Sequence, residues 1–279
     1  MKLFLLLVSL AVANAGVPFE PIELDYHNKV GIPLAERIRQ AEMAQDFDGG
    51  RIIGGSPSNV GNHPHLGGLV VTLTDGRQST CGSSLITNTR LVTAAHCWAT
   101  RAIQGRSLVV VFASTTLFSG GTRVTSSNVQ MHANYNMDNL NNDVAIIIIP
   151  WLNYNNNIRN IALASGTNAF VGVNAVAAGY GLTADSGGSS GQLRHVTLQV
   201  ISNADCARVY GTNNIIASTI CTSSASDRNV CRGDSGGSLI AGGQLIGITS
   251  FVAQRGCQAG MPAGFARVTS FNAWIQARL

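Results

Sequence analysis

Between residues 52 and 279 the chain has no lysine and no glutamate. Its charge there is carried by thirteen arginines against seven aspartates, a balance of +6. The arginines are scattered singly, without the basic cluster that a nucleic-acid surface needs, so nucleic acid is excluded as a partner. Charged residues make up only 11% of the whole chain against 45% hydrophobic ones. An average soluble protein carries ~25% charged residues, so most of this chain is too apolar to stay disordered. No stretch reaches the ~18 uninterrupted apolar residues of a membrane span, so no membrane association is expected. No Cys-x-x-Cys pair occurs, which argues against zinc. No Asn-x-Ser/Thr sequon, internal repeat or low-complexity tract is present.

What is there begins with a leader. Lys2 supplies a basic start, Leu3 to Val12 an apolar stretch too short to span a bilayer, and Ala13-Asn14-Ala15 a small-x-small cleavage site. Residues 1–15 therefore read as a signal peptide cut before Gly16. The expected location is secreted and extracellular. Six cysteines (Cys81, Cys97, Cys206, Cys221, Cys231, Cys257) fit that oxidising compartment. Six cysteines allow 15 pairings, and spacing alone does not choose among them.

Composition changes sharply near residue 51. Segment 16–51 holds four basic side chains against seven acidic ones, a balance of −3, and no cysteine. Within it, Pro33 to Gln45 could form a short helix. Segment 52–279 is rich in Gly, Ser, Thr, Val and Asn. Its short apolar runs lie between turn residues: Leu66–Leu73, Leu91–Ala95, Ser107–Ala113, Val144–Ile149, Ala175–Ala178, Val196–Ile201 and Leu245–Phe251. Their length and β-branched content predict strands, without intervening helical patterns, hence an all-β barrel or sandwich. Phe271, Trp274 and Ile275 have the i, i+3, i+4 spacing of a short C-terminal helix packed on the body.

Acyl transfer to a serine needs a nucleophile with a base, an orienting carboxylate and donors for the oxyanion. Gly233-Asp234-Ser235-Gly236-Gly237 offers the nucleophile, Ser235, in a run whose glycines permit tight turning. Ser-Gly-Gly alone would read as an ordinary loop; the full run beside Cys231-Arg232 is far more specific. Thr93-Ala94-Ala95-His96-Cys97 offers the base, although a lone histidine after a strand is more often structural. Asn142-Asp143-Val144-Ala145-Ile146 offers the carboxylate, which in isolation could be a turn or cap residue. His63, His65, His132 and His195 lack any such context and read as surface or core residues.

These three motifs, in the order His, Asp, Ser, resemble the chymotrypsin-like serine protease family across essentially all of 52–279. Within it, the chain looks most like the digestive chymotrypsin- and elastase-type enzymes of insects. The resemblance implies two six-stranded antiparallel β-barrels with the active site between them. It implies Ser235 as nucleophile, His96 as base, Asp143 as its orienting partner, and the N–H groups of Gly233 and Ser235 as the oxyanion hole. Ser250 matches the family serine that supports the aspartate and the substrate backbone. The implied disulfides are Cys81–Cys97, Cys206–Cys221 and Cys231–Cys257. Arg51-Ile52-Ile53-Gly54-Gly55 resembles the family's activation site. A cut after Arg51 would free an Ile52 ammonium to insert beside Asp234. The domain plan is therefore signal peptide 1–15, propeptide 16–51 and protease domain 52–279.

By the same resemblance Asn229 lies at the specificity-pocket base, with Val252 and Ala263 on its walls. A neutral floor argues against Arg or Lys as the preferred residue. Val252 should narrow the entrance, giving preference for medium-to-large apolar residues, with elastase-like preference for small ones close behind. Ser238 departs from the proline of many relatives. Protein or peptide substrates, an activating trypsin-like protease and protein protease inhibitors are the implied partners of a monomer. No cofactor and no metal are implied. An inactive homologue acting as a binding protein is disfavoured because all three triad residues are present. A clotting or immune-cascade protease is disfavoured by the short, cysteine-free propeptide. Arginine keeps its charge above pH ~12 whereas lysine loses it near ~10.4, so an all-arginine surface points to digestion in an alkaline gut lumen, with compositional drift or escape from Lys-directed proteolysis as the alternatives.

Overall fold

The structure is a computed structural model and describes residues 18–44, 56–186, 192–224 and 228–279. The signal-peptide reading (1–15) and the activation residues Arg51 and Ile52 lie outside the described residues.

The described strands, in chain order, are β1 Ser56–Pro57, β2 Leu66–Leu73, β3 Gln78–Thr87, β4 Arg90–Thr93, β5 Gly105–Phe112, β6 Thr122–Ser126, β7 Asn128–Met131, β8 Ala145–Ile148, β9 Ala162–Leu163, β10 Asn174–Gly179, β11 Arg194–Ile201, β12 Thr219–Thr222, β13 Ser238–Ala241, β14 Gln244–Phe251 and β15 Ala263–Arg267. They form two sheets. One runs β6-β5-β2-β3-β4-β8-β7, all antiparallel. Its two edge strands, β6 and β7, are separated only by Ser127. One bent strand thus serves both edges, and the sheet must curl to let it. Ser126 fastens the bend by donating its hydroxyl to Ile148 O on β8 at 2.5 Å. The other sheet runs β11-β10-β13-β14-β15-β12, and β12 pairs back with β11, closing a six-stranded barrel. β1 adds to β11, and β9 joins β14 in parallel. This is the expected chymotrypsin-like double barrel.

Local chemistry explains the strands. β8 is Ala-Ile-Ile-Ile, and Ile146 and Ile147 are fully buried beside Leu85 and Leu91. β-Branched side chains suit a pleated, packed surface. β3, Gln-Ser-Thr-Cys-Gly-Ser-Ser-Leu-Ile-Thr, is also buried along nearly its whole length. Of its buried hydroxyls, Ser83 Oγ donates to Gly67 O at 2.7 Å and Ser79 Oγ meets His27 Nδ1 at 2.8 Å, whereas Thr80 Oγ1 and Ser84 Oγ have no partner. Its Gly82 abuts the second barrel. A Cβ there would stand 2.9 Å from Gly237 Cα, so only glycine allows the approach.

Among the described residues, three α-helices complete the fold: α1 Ile32–Ala44, α2 Asn203–Tyr210 and α3 Val268–Gln276. α1 follows a wide π-turn at His27–Gly31. α3 buries Phe271 and Ile275, each worth roughly 1.5–3 kcal/mol. The expectation of no helix between strands is corrected by α2, which lies between β11 and β12. Its N-cap is Ser202, whose hydroxyl accepts from Asp205 N at 3.0 Å. Ser-x-x-Asp is a helix-start signal, and it stands in the sequence.

Candidate active site

β4 ends at Thr93, Ala94 stays extended, and a single 3-10 turn, Ala95–Cys97, places His96. The Cys81–Cys97 disulfide ties that turn to β3. Asp143 enters just before β8, after Leu140 (φ 56°) and Asn142 (φ 57°). Asparagine tolerates this left-handed conformation better than most residues. His96 and Asp143 are each 1% exposed. Asp143 Oδ1 accepts from the His96 backbone N–H at 2.9 Å. Its Oδ2 accepts from His96 Nδ1 at 2.7 Å and from Ser250 Oγ at 2.5 Å. Three donors thus converge on this one buried carboxylate. With Nδ1–H committed to Asp143, neutral imidazole carries its acceptor lone pair on Nε2.

Ser235 arrives from the second barrel, between Cys231 and β13. A turn closes from Asp234 N to Cys231 O at 3.0 Å, and Gly237 N returns to Asp234 O at 3.0 Å. Gly82 N of β3 donates to Ser235 O at 2.7 Å, so the first barrel grips the serine's own backbone. Gly233 (φ 101°) and Gly236 (φ 77°) take conformations that disfavour side chains. His96 and Ser235 line one cavity, together with the strand end Thr249–Ala253. The structure thus brings His96, Asp143, Ser235 and Ser250 to one place.

Asp234 is buried. Its carboxylate accepts from Gly181 N at 2.9 Å and Cys231 N at 2.8 Å. Burial pushes its pKa up to about 6, against the pull of those two bonds. Three histidine rings, two of them buried and His63 half-buried, shift the other way. Burial first, then His63, lowers His65 to about 3. Burial, then His195, lowers His63 to about 4, and burial, then His96, lowers His27 to about 4. A lowered histidine stabilises the fold fully above its unfolded value of ~6.5, and loses that contribution as pH falls toward its folded value. Asp234 acts oppositely, gaining stability as pH falls from about 6. One carboxyl against three rings leaves a net loss of a few kcal/mol in acid. The unfolding midpoint at pH ~4.5 should lie roughly 10 °C below that at pH 7. A midpoint unchanged or raised in acid would contradict the neutral-ring reading. His65 Nε2 meets Ser238 Oγ at 3.1 Å, so Ser238 partners a buried ring.

Of the expected pocket residues, Ser250 and Val252 line the cavity. Asn229 is 1% exposed, and its Nδ2 donates to Cys257 O at 3.3 Å and Met261 O at 3.2 Å. Those bonds fix the amide orientation, and Oδ1 is left without a partner. Ala263 is fully buried on β15, paired with Thr222 of β12. The remaining disulfides are Cys206–Cys221 and Cys231–Cys257. Sequence reasoning missed Asp185, whose carboxylate accepts from Cys257 N at 2.8 Å and Gln258 N at 2.9 Å. A lone Asp in a Gly- and Ser-rich stretch gives no signal for that role.

It also missed who else is in the cleft. Glu23, Tyr26 and Val30 line the same cavity as His96 and Ser235. The Tyr26 ring meets the His96 ring edge-on at 4.7 Å, and its hydroxyl donates to Thr80 O at 2.7 Å. Burial pushes the Tyr26 phenol well above its ordinary range, and Ser235 is its side-chain hydrogen-bond partner. The only sequence hint was charge, −3 on segment 16–51 facing +6 on the rest.

Comparison with known proteins agrees with this architecture. The Trypsin family profile matches residues 52–275. "Collagenase" of Hypoderma lineatum is 39% identical over 232 residues, covering 81% of this chain and 86% of that protein. "Brachyurin" of Leptuca pugilator is 38% identical over 231 residues, covering 81% of this chain and 97% of that protein. A solved collagenase structure superposes with a TM-score of 0.74 at 38% identity, over 80% of this chain and 96% of that one. No helix among the described residues is long and apolar enough to cross a membrane. The chain belongs to the trypsin family of serine proteases and is a serine endopeptidase hydrolase.

Proposed function

We propose that the chain is the zymogen of a secreted endopeptidase whose triad is Ser235, His96 and Asp143. The observation that carries this reading is the Asp143 carboxylate, which takes Nδ1–H of His96 at 2.7 Å and leaves Nε2 as the free base in the cavity it shares with Ser235. Ser235 Oγ attacks the scissile carbonyl while its proton passes to His96 Nε2. The tetrahedral oxyanion is held by the N–H groups of Gly233 and Ser235. The C–N bond then breaks as His96 returns the proton to the leaving amine. Water repeats the cycle on the acyl-enzyme: its proton goes to His96, the ester bond breaks, and Ser235 regains its hydrogen. Asp143 stabilises the imidazolium formed each time. Losing one oxyanion donor would cost ~10²–10³ in turnover.

Activation follows a cut after Arg51. The new Ile52 amine titrates near pH ~8 in isolation and needs an anion to hold its charge above that. Asp234, pushed up to about 6 by burial, is ionised over this range and is the partner proposed. The amide floor at Asn229 offers no countercharge to Arg or Lys. Val252 narrows the entrance, so medium-to-large apolar side chains are preferred, with an elastase-like preference the second reading. Protein substrates, an activating trypsin-like protease, protein inhibitors and a monomeric state complete the proposal. Digestion in an alkaline lumen is the setting in which an all-arginine surface has a purpose.

The test is to cut the chain after Arg51 and compare Ala-, Leu-, Phe- and Arg-terminated chromogenic peptides, with native collagen alongside because one curated relative and one matching solved structure are named collagenase. Leu or Phe should lead and Arg trail by at least about tenfold, or 1.4 kcal/mol in transition-state binding. Dominant Arg cleavage sinks the pocket argument. Run across pH, the same assay should peak well above neutrality; a neutral optimum removes the alkaline setting.

A further inference from the structure

Segment 18–44 crosses the cleft as a bound peptide would. Glu20 N donates to Val209 O at 2.8 Å, and its 2%-exposed carboxylate accepts from Arg255 Nε at 2.6 Å. Gln254 N donates to Pro21 O at 3.0 Å, and Ile22 forms an antiparallel bridge with Ala253. The strand end bounding the catalytic cavity is therefore already paired. Tyr26 then sits on His96 and Ser235. His27 is fully buried, its Nδ1 2.8 Å from Ser79 Oγ. Leu34 of α1 fills the space over Gly233, where a Cβ would lie 2.0 Å from its Cδ2. At the far end Glu42 accepts from Leu117 N at 2.7 Å and Phe118 N at 2.9 Å.

We propose that segment 18–44, once severed behind Arg51, is a reversible inhibitor of the mature enzyme, held along the cleft by the Glu20–Ile22 bridge, the Tyr26 plug over Ser235 and His96, and the α1 cap on the oxyanion loop. The proposal rests on the triad reading above. Inhibition rather than cleavage follows from the backbone. A serine nucleophile attacks an extended peptide, whereas Tyr26 is helical (φ −52°, ψ −49°) and runs into a π-turn. No cysteine anchors the segment, so after the cut it is retained by contacts alone. Opposite charge, −3 on 16–51 and +6 on 52–279, favours re-association. The seat is also close: a Cβ on Gly31 would stand 1.9 Å from Ser79 Oγ, the atom His27 uses.

The test uses the full chain, cut behind Arg51 and assayed on a Leu-terminated peptide at a series of dilutions. Specific activity should rise at least about tenfold on dilution as the segment leaves. It should fall again, competitively, when synthetic peptide 18–44 is added, and mass spectrometry should recover that peptide intact. Peptides carrying Tyr26→Ala or Gly31→Ala should each inhibit at least about tenfold more weakly. The full-chain Gly31→Ala variant should be fully active as soon as it is cut. Activity independent of dilution and untouched by about 100 μM peptide overturns the proposal, as does cleavage of the peptide beside Tyr26. If the cut enzyme is inactive even after gel filtration, the triad or activation reading has failed instead. Anisotropy of fluorescein-labelled 18–44 on that same protein then decides the seat, with no binding at about 100 μM refuting it.

Discussion

Replacing Ser235 with alanine is expected to lower turnover of the activated enzyme by about 10⁶-fold, with the fold intact. Apart from its side-chain contact with Tyr26, which leaves with the severed segment, the serine's structural ties are backbone ties: Gly82 N to Ser235 O at 2.7 Å, and the turns around Asp234 and Gly237. Alanine keeps them all. The loss is therefore chemical, since among the described residues no other hydroxyl is presented beside His96 by a glycine-lined turn. His96→Ala should cost a similar amount, and the double variant little more than either single one. Base and nucleophile act as one unit, so removing the second after the first removes nothing further. Additive losses in the double variant would contradict a shared proton transfer. Steady-state kinetics on an activated, separated enzyme reads all three.

Asp143→Asn should lower turnover by about 10⁴-fold while leaving KM nearly unchanged. The carboxylate accepts three bonds, from His96 N, His96 Nδ1 and Ser250 Oγ. An asparagine fits the same space but has only one acceptor oxygen. With that oxygen kept for the His96 backbone N–H, the amide nitrogen faces Nδ1, which must then accept. The ring proton moves to Nε2, and His96 can no longer take the proton of Ser235. Ser250 keeps a partner, because its oxygen can accept from the amide. A wild-type kcat in this variant would mean that Asp143 does not set the tautomer.

The fold was legible where burial is apolar. The Leu66–Leu73 run is β2 to the residue, and Leu245–Phe251 falls short of β14 by Gln244 alone. β3 was invisible because six of its eight buried residues are serine, threonine, glycine or cysteine, which carry no hydrophobic period; only Leu85 and Ile86 are apolar aliphatics. β6 and β7 hid for a different reason: they are short, largely exposed and polar, and form the two edges of the curled first sheet on either side of one bend. The helix read at Pro33–Gln45 appears as Ile32–Ala44. Its function did not show, because Leu34 over Gly233 and Glu42 on the Phe118 loop are long-range meetings that no local pattern encodes. The site residues were nameable because GDSGG, TAAHC and NNDVAI each place one reactive group in a distinctive setting. The Tyr26 plug was not, since an isolated tyrosine in an acidic segment has no motif.

The central claim is that Ser235 is the one activated nucleophile and that it awaits the cut. A fluorophosphonate probe, which reacts only with a serine whose base and oxyanion site are assembled, tests this most directly. Applied before cleavage behind Arg51, and again after cleavage and removal of the severed segment, with the adduct mapped by peptide mass spectrometry, it should give one label, on Ser235, that appears only in the cut, separated enzyme and is absent from the His96→Ala variant. A label on another residue, or equal labelling of the uncut chain, would contradict it.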